Sequence, residues 1–325
     1  MRVFFCLKFG SLAEIFSVLV MMSKRLLAVV LVTMSSLSQF CWGWNTYGHL
    51  LTADFALAKL PPAKQRVYDQ LAFTLVRQMD AQKRLYLMRT FEDTSAFAHL
   101  SVLPDDWRGI TVSALYDQYG EGLPRQLQRY ADTTTDNWHY INQPYHLGEL
   151  DQVCEVEEDN VASVLPNLID AYKETESEAN KALTLAFIVH LVSDAHNPVH
   201  TMTRVDDDCE SDRGGNRFCV AYHRGGSSCE ENLHQAWDRA LGFFEEYEKV
   251  ADAQNFLNYV KIDERAAAEL DPQIWIKEGF EFARLVYSAT EGQTLDSFYI
   301  DEGKIISYEQ IALAGARLAA ILDEL

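Results

Sequence analysis

Three histidines and an aspartate, His190, Asp194, His196 and His200, fall within the eleven residues "HLVSDAHNPVH" of an otherwise apolar run. On a helix, His190 and Asp194 stand at i and i+4 and project from one face. Asn197-Pro198 ends that helix, because the residue before a proline is pushed out of the α region. His200, beyond the break, can turn back toward the same cavity, whereas His196 follows Asp194 by two and faces away. The stretch "NLHQAWD" repeats the geometry with His234 and Asp238. Imidazole nitrogen and carboxylate oxygen are standard zinc ligands at about 2.0–2.2 Å, so these side chains form a metal-binding inventory. One His-x-x-x-Asp pair alone is more often a surface hydrogen bond. Two pairs on apolar helices are harder to set aside, since a buried histidine or aspartate needs a partner.

Other segments offer further ligands. His49 lies in "WNTYGH", His139 lies between aromatics in "NWHYIN", and Asp105 and Asp106 lie in "LPDDWRG". His99, His146 and His223 have no comparable setting and read as exposed or structural.

The elements that must position these groups are mainly helical. Apolar periodicity covers 48–60, 64–79, 81–103, 160–175, 178–196, 229–247, 250–259, 272–291 and 307–323, with prolines mostly at starts or ends. Residues 201–228, rich in Gly, Asp and Ser, read as one long loop with a short hairpin around Phe218–Tyr222. The fold class expected is all-α, one helical domain over 44–325.

The chain has 325 residues, 48% of them hydrophobic, and a formal net charge of −20. That balance argues against a broad basic face gripping duplex nucleic acid. An anionic substrate would need concentrated local positive charge, and bound metal cations supply it.

The N-terminus reads as an export signal, 1–43, with Met21 or Met22 as candidate true starts. Lys24-Arg25 precede the apolar run Leu26–Met34, which is too short to span a bilayer, and small Gly43 stands before Trp44. A retained signal-anchor is the less favoured alternative. Export would deliver the protein to the periplasm or outside the cell, with no membrane attachment after cleavage. Cys154, Cys209, Cys219 and Cys229 then remain, an even number that suggests two disulfides with three pairings open.

The ordered pieces "WNTYGH" (44–49), "PDDWR" (104–108), "WHYIN" (138–142), "HLVSDAHNPVH" (190–200), "GGN" (214–216) and "NLHQAWD" (232–238) resemble the S-one/P-one (S1/P1) nuclease family of secreted trinuclear-zinc, single-strand-specific nucleases. Weaker agreement follows in "WIKEG" (275–279) and "GARLAAIL" (315–322). The resemblance implies a fold of the zinc phospholipase C and single-strand nuclease type, and three Zn²⁺. One would be held by Asp105, His139, His190 and Asp194; a second by His200, His234 and Asp238. The third would be held by His49, a bridging Asp194, and the free α-amine and carbonyl of Trp44. Of the adjacent aspartates the resemblance favours Asp105, with Asp106 as the fallback.

The implied activity is hydrolysis of single-stranded DNA and RNA to 5′-phosphorylated products, with 3′-nucleotides as further substrates. Asp105 would orient the attacking hydroxide and Asn216 would bind phosphate, unless Gly214-Gly215-Asn216 is an ordinary turn. Tyr140 and Asn142 stand where fungal members carry Phe and Asp for base binding. Tyrosine keeps a stacking face, but asparagine replaces a pure acceptor with a mixed donor and acceptor. No stable protein partner is implied. The rival readings are a zinc phospholipase C and a zinc-binding protein without catalysis.

Overall fold

The computed structural model describes residues 44–221 and 231–325. The expected leader 1–43 and its start sites, together with Tyr222, His223 and Cys229, lie outside the described residues. In chain order the helices are α1 (Thr46–Lys59), α2 (Pro62–Val76), α3 (Ala81–Thr90), α4 (Ala96–Leu100), α5 (Leu103–Asp106) and α6 (Val112–Tyr119). They continue with α7 (Val161–Glu174), α8 (Glu178–Asp194), α9 (Leu233–Asp238), α10 (Val250–Leu257), α11 (Glu264–Ala268), α12 (Pro272–Phe280), α13 (Ala283–Val286) and α14 (Ser297–Glu324). Two minimal sheets complete the described fold. In one, β1 (Pro144–Tyr145) pairs parallel with β2 (Thr203–Arg204). In the other, β3 (Cys219–Val220) pairs antiparallel with β4 (Glu231–Asn232). The fold class is all-α, as the sequence pattern implies.

Helix α8 is the axis of the core. Ser177 caps its start by accepting from the Asn180 amide, and every residue from Ala182 to Asp194 is buried. A helix that is apolar all round must be surrounded, and α8 touches α1, α2, α7 and α14. Its end follows the proline rule: Asn197 takes an extended ψ of 119°, and Pro198–His200 form one 3-10 turn. Helix α1, capped by the Asn45 side chain, lies along α14. It begins where the chain runs tightest. A Cβ at Gly48 would meet Trp44 Cβ and Phe244 Cζ at 2.7 Å. Helix α14 is long and apolar enough to cross a membrane by length and composition, but its buried residues pack on α1 and α8.

Several expected helices are shorter or split. The stretch 81–103 contains α3, a break at Phe91 (φ −126°, ψ 53°), and α4, capped afresh by Ser95. The stretch 229–247 yields only α9 before Ala240, Leu241 and Gly242 take positive φ of 51°, 50° and 90°. The stretch 272–291 divides into α12 and α13, while the last helix starts ten residues earlier than its periodicity suggests, at an Asp296 cap. The loop after His200 is not featureless, since β2, β3 and an isolated Val205–Ser211 bridge shape it. Within the expected hairpin, Cys219–Val220 pairs with Glu231–Asn232. Of the three open cysteine pairings, the structure joins Cys154 to Cys209, and Cys219 is also disulfide-bonded.

Candidate metal centre

Six segments meet at the C-terminal end of α8. Helix α8 carries His190 and Asp194, the 3-10 turn after it carries His200, and α9 carries His234 and Asp238. Helix α1 brings His49, α5 brings Asp105, and the 3-10 turn Asp136–His139 brings His139. The ligand atoms fall into three groups, each within 4.8 Å: His49 with His190 and Asp194; Asp105 with His139 and His190; His200 with His234 and Asp238. Asp194 joins the first two groups, because its Oδ2 lies 3.0 Å from both His139 Nδ1 and His190 Nε2. Its Oδ1 lies 3.5 Å from His49 Nε2 and 3.7 Å from His200 Nδ1.

The ring orientations are fixed from behind. His190 Nδ1 donates to the Ser101 carbonyl at 2.6 Å, His200 Nδ1 to the His139 carbonyl at 2.7 Å, and His234 Nδ1 to the Gly214 carbonyl at 2.7 Å. Each bond places the proton on Nδ1 and leaves the Nε2 lone pair facing the cluster, the arrangement that orients a metal-ligating imidazole. Gly214 can serve His234 because it is glycine. Its φ is +62°, and a Cβ there would approach the Val199 carbonyl oxygen to 2.7 Å. Asn197 Nδ2 donates to Asp238 Oδ1 at 3.0 Å, aiming that carboxylate.

The electrostatics fit a cation. His49, His139, His190, Asp194 and His200 are fully buried, and among the described residues His49 Nδ1 and Nε2, His139 Nε2 and Asp194 Oδ1 have no hydrogen-bond partner. Buried polar atoms are rarely left so. Burial, with neighbouring cationic groups, holds His49 and His139 well below the ordinary histidine range, so both present the neutral form that a metal requires. Burial pushes Asp194 up against the opposing pull of His190. Burial would lower His190 too, but Asp194 and Asp105 outweigh it and raise its pKa. A cation placed among these atoms gives one His49 nitrogen and Asp194 Oδ1 a partner and favours the ionised aspartate.

The other expected site residues are placed as follows. Trp44 is fully buried, its indole donating to the Ser193 carbonyl at 3.1 Å, and the next amide, Asn45, donates to the Asp238 carbonyl at 2.9 Å. Its main chain is therefore anchored between two ligand-bearing helices. Asp106 leaves the cluster and pairs with Lys83 at 2.8 Å. His196 is buried elsewhere: it donates from Nδ1 to the Val192 carbonyl and accepts at Nε2 from Arg317, whose guanidinium also pairs with Glu278 and covers Trp275. Burial and that guanidinium lower its pKa to about 3. His99 is a buried partner of Thr94, and His146 pairs with Asp207.

Tyr140, half-buried, donates to Asn137, and Asn142 gives both its backbone and side-chain N–H groups to the Glu157 carboxylate. Asn216 donates Nδ2 to the Arg213 carbonyl at 2.9 Å, closing a turn. Arg108 was not singled out from the sequence. It donates to Asp105 Oδ1 at 3.2 Å from Nε and 3.0 Å from Nη2, with a side chain only 6% exposed. Its signal was its place three residues after Asp105, where a helical turn brings the two together.

A family model described as S1/P1 nuclease matches residues 44–325. The chain is a member of the S1/P1 nuclease family. Two endonucleases of Arabidopsis thaliana are similar to it. Endonuclease 2 is 26% identical over 254 residues, covering 68% of this chain and 84% of that protein. Endonuclease 1 is 26% identical over 235 residues, covering 62% and 72%. Membership supports a phosphodiester-hydrolysing nuclease acting on nucleic acid, and the buried His and Asp groups of the cluster suit a metal-dependent one.

Proposed function

We propose that this S1/P1 nuclease holds three Zn²⁺ and hydrolyses single-stranded DNA and RNA to 5′-phosphorylated products, with 3′-nucleotidase activity. The observation that carries the reading is the packing of three adjacent His/Asp groups side by side, two of them joined by one buried carboxylate, Asp194. Zinc, when bound, supplies positive charge against phosphate oxygens and makes water acidic enough to ionise near neutral pH. Asp105, held by the Arg108 fork, accepts a hydrogen bond from the nucleophilic water and aims it at phosphorus. Asn216 donates to the phosphate, Tyr140 stacks on a base, and Asn142, paired with Glu157, meets the base edge.

Export completes the site in this reading. Cleavage after Gly43 turns the Trp44 amide nitrogen into a free amine, a far better ligand, and the enzyme works in the periplasm or outside the cell. The test is digestion of single-stranded DNA, duplex DNA and phosphatidylcholine with end-labelling of products. Single-strand cleavage leaving 5′-phosphates is expected, and cleavage of phosphatidylcholine alone overturns the reading. Asp105→Asn is expected to keep its metal content by elemental analysis while losing about 10²-fold or more in kcat.

A further inference from the structure

Away from the metal centre, the α2–α3 hairpin reverses the character of the molecule. Between residues 64 and 90 there are six basic side chains and two acidic ones, in a chain of net charge −20. The two acids are occupied: Asp69 accepts from the Phe97 amide, and Asp80 caps α3. Among the described residues, no carboxylate pairs with Arg66, Arg77, Arg84 or Arg89. Apolar side chains interleave with them in the open, Phe73 at 46%, Tyr86 at 48% and Met88 at 58% exposure. Exposed apolar groups gathered in one place mark an interaction surface.

Between α2 and α4 the hairpin forms a groove of about 340 Å³, lined by Phe73, Arg77, Arg84, Met88, Phe91 and His99 among others, with Glu92 its one carboxylate. Arg77 lies over the Phe73 ring at 5.5 Å, and Arg84 Nη1 donates to the Arg77 carbonyl at 3.0 Å, so the two guanidiniums are organised together. The groove is tied to the metal centre twice. His99, in its wall, is two residues from Ser101, whose carbonyl anchors His190. Lys83, beside Arg84, pairs with Asp106, the neighbour of Asp105. Six residues separate His99 from Asp105, so their Cα atoms are at most roughly 20 Å apart, a span that a few nucleotides cover.

We propose that this groove is a second holding site for single-stranded nucleic acid, in which Arg77 and Arg84 bind phosphates and Phe73 stacks on a base several nucleotides from the scissile bond. The proposal rests on the nuclease reading of the metal centre. A positively charged track with interleaved aromatics is what sequence-independent single-strand binding requires, and the charge reversal of this one hairpin selects a polyanion. The exposed ring of Phe73, backed by a guanidinium, favours a planar base over a lipid headgroup.

The test compares the metal-loaded enzyme with Arg77→Ala/Arg84→Ala and Phe73→Ala variants, Phe73 and Arg77 being exposed and Arg84 half-buried. Substrates are a dinucleotide and a long unstructured strand, and binding is read by anisotropy on a long phosphorothioate strand. Removing both arginines is expected to lower the slope of log affinity against log salt by about 1.4, at roughly 0.7 per phosphate contact. Phe73→Ala is expected to raise KM for the long strand by roughly 5- to 100-fold. Turnover of the dinucleotide stays unchanged in both. An Arg77→Lys/Arg84→Lys variant retains the salt slope. An unaltered salt slope and long-strand KM in enzymes that cut both substrates overturns the groove and leaves the nuclease reading intact. Failure of the wild type to cut either substrate counts against the nuclease reading itself, and the anisotropy arm then still reads the groove. Loss of adsorption to phosphatidylglycerol vesicles in the variants, with strand affinity kept, assigns the surface to a membrane and overturns the proposal.

Discussion

Stripping the metal should cost this fold much of its stability, and the size can be worked from the ligand atoms. Four buried atoms, His49 Nδ1 and Nε2, His139 Nε2 and Asp194 Oδ1, have no hydrogen-bond partner among the described residues. A metal can take one His49 nitrogen and Asp194 Oδ1 but not the second nitrogen of that ring nor His139 Nε2, whose Nδ1 faces the cluster; at about 1–3 kcal/mol per unsatisfied buried atom, the loss is about 2–6 kcal/mol. Mass action gives a second route: a site held at a thousand times its Kd contributes about 4 kcal/mol. With three candidate ligand groups present, full occupancy contributes up to about 12 kcal/mol. Total stabilities are about 5–15 kcal/mol, so the apo chain should be marginal. At about 2–4 °C per kcal/mol, the midpoint should fall by on the order of 10 °C or more. The assay is thermal melting by circular dichroism with and without excess chelator, metal loss being verified by elemental analysis, followed by recovery on adding zinc. A shift under about 3 °C on a verifiably metal-free sample would show that protein contacts or water satisfy these atoms, and the energetic reasoning would be refuted.

Three further outcomes follow from particular side chains. Asp54 is buried at the Ser95 cap, and burial, offset in part by two Ser95 hydrogen bonds, raises its pKa to about 6 from an ordinary 3.8. A raised carboxyl stabilises the fold below about pH 4 and loses that contribution as pH climbs through 6. Asp54→Asn should therefore gain up to about 3 kcal/mol over wild type at neutral pH, and urea titrations at pH 5 and 7.5 showing no change in that difference would count against it. His196→Gln should keep its full metal content and His200→Gln should not, as elemental analysis of the purified variants will show, because only the latter ring faces Asp238. Gly214→Ala should lose about 1–3 kcal/mol from its left-handed backbone alone and bind metal more weakly through His234. Equal zinc affinity in a competition titration would contradict that coupling.

The sequence carried the chemistry further than the boundaries. The i, i+4 pairs and the Asn-Pro break stand as read, because both depend on local backbone geometry. The helix breaks did not show, because they are settled by distant partners. Ser95 can restart a helix after Phe91 because Asp54, on α1, accepts from its amide and hydroxyl. The reversal at Ala240–Gly242 lies under α14, whose Gly303 leaves only van der Waals room for Leu241. Helix α6 lies outside the periodic stretches although Thr111 caps it by accepting from the Ala114 amide. Among the ligands, the stacking of His49 on His190 at 4.0 Å was invisible, since the two are far apart in the chain and meet only through the packing of α1 on α8.

The burial of α8 sets how fast metal can come and go. In the proposed reading two of the ligands, His190 and Asp194, sit on this core helix with no exposed surface, so neither can swing outward to hand an ion to solvent. Exchange must then wait for the core itself to open, an event drawn from the high end of the local-unfolding scale. Above a modest concentration, the rate of chelation should stop depending on the chelator and become a clock for the opening of the protein. In the same reading the enclosure works in the other direction: loading would accompany folding, and the compartment where folding finishes would decide which metal the enzyme carries.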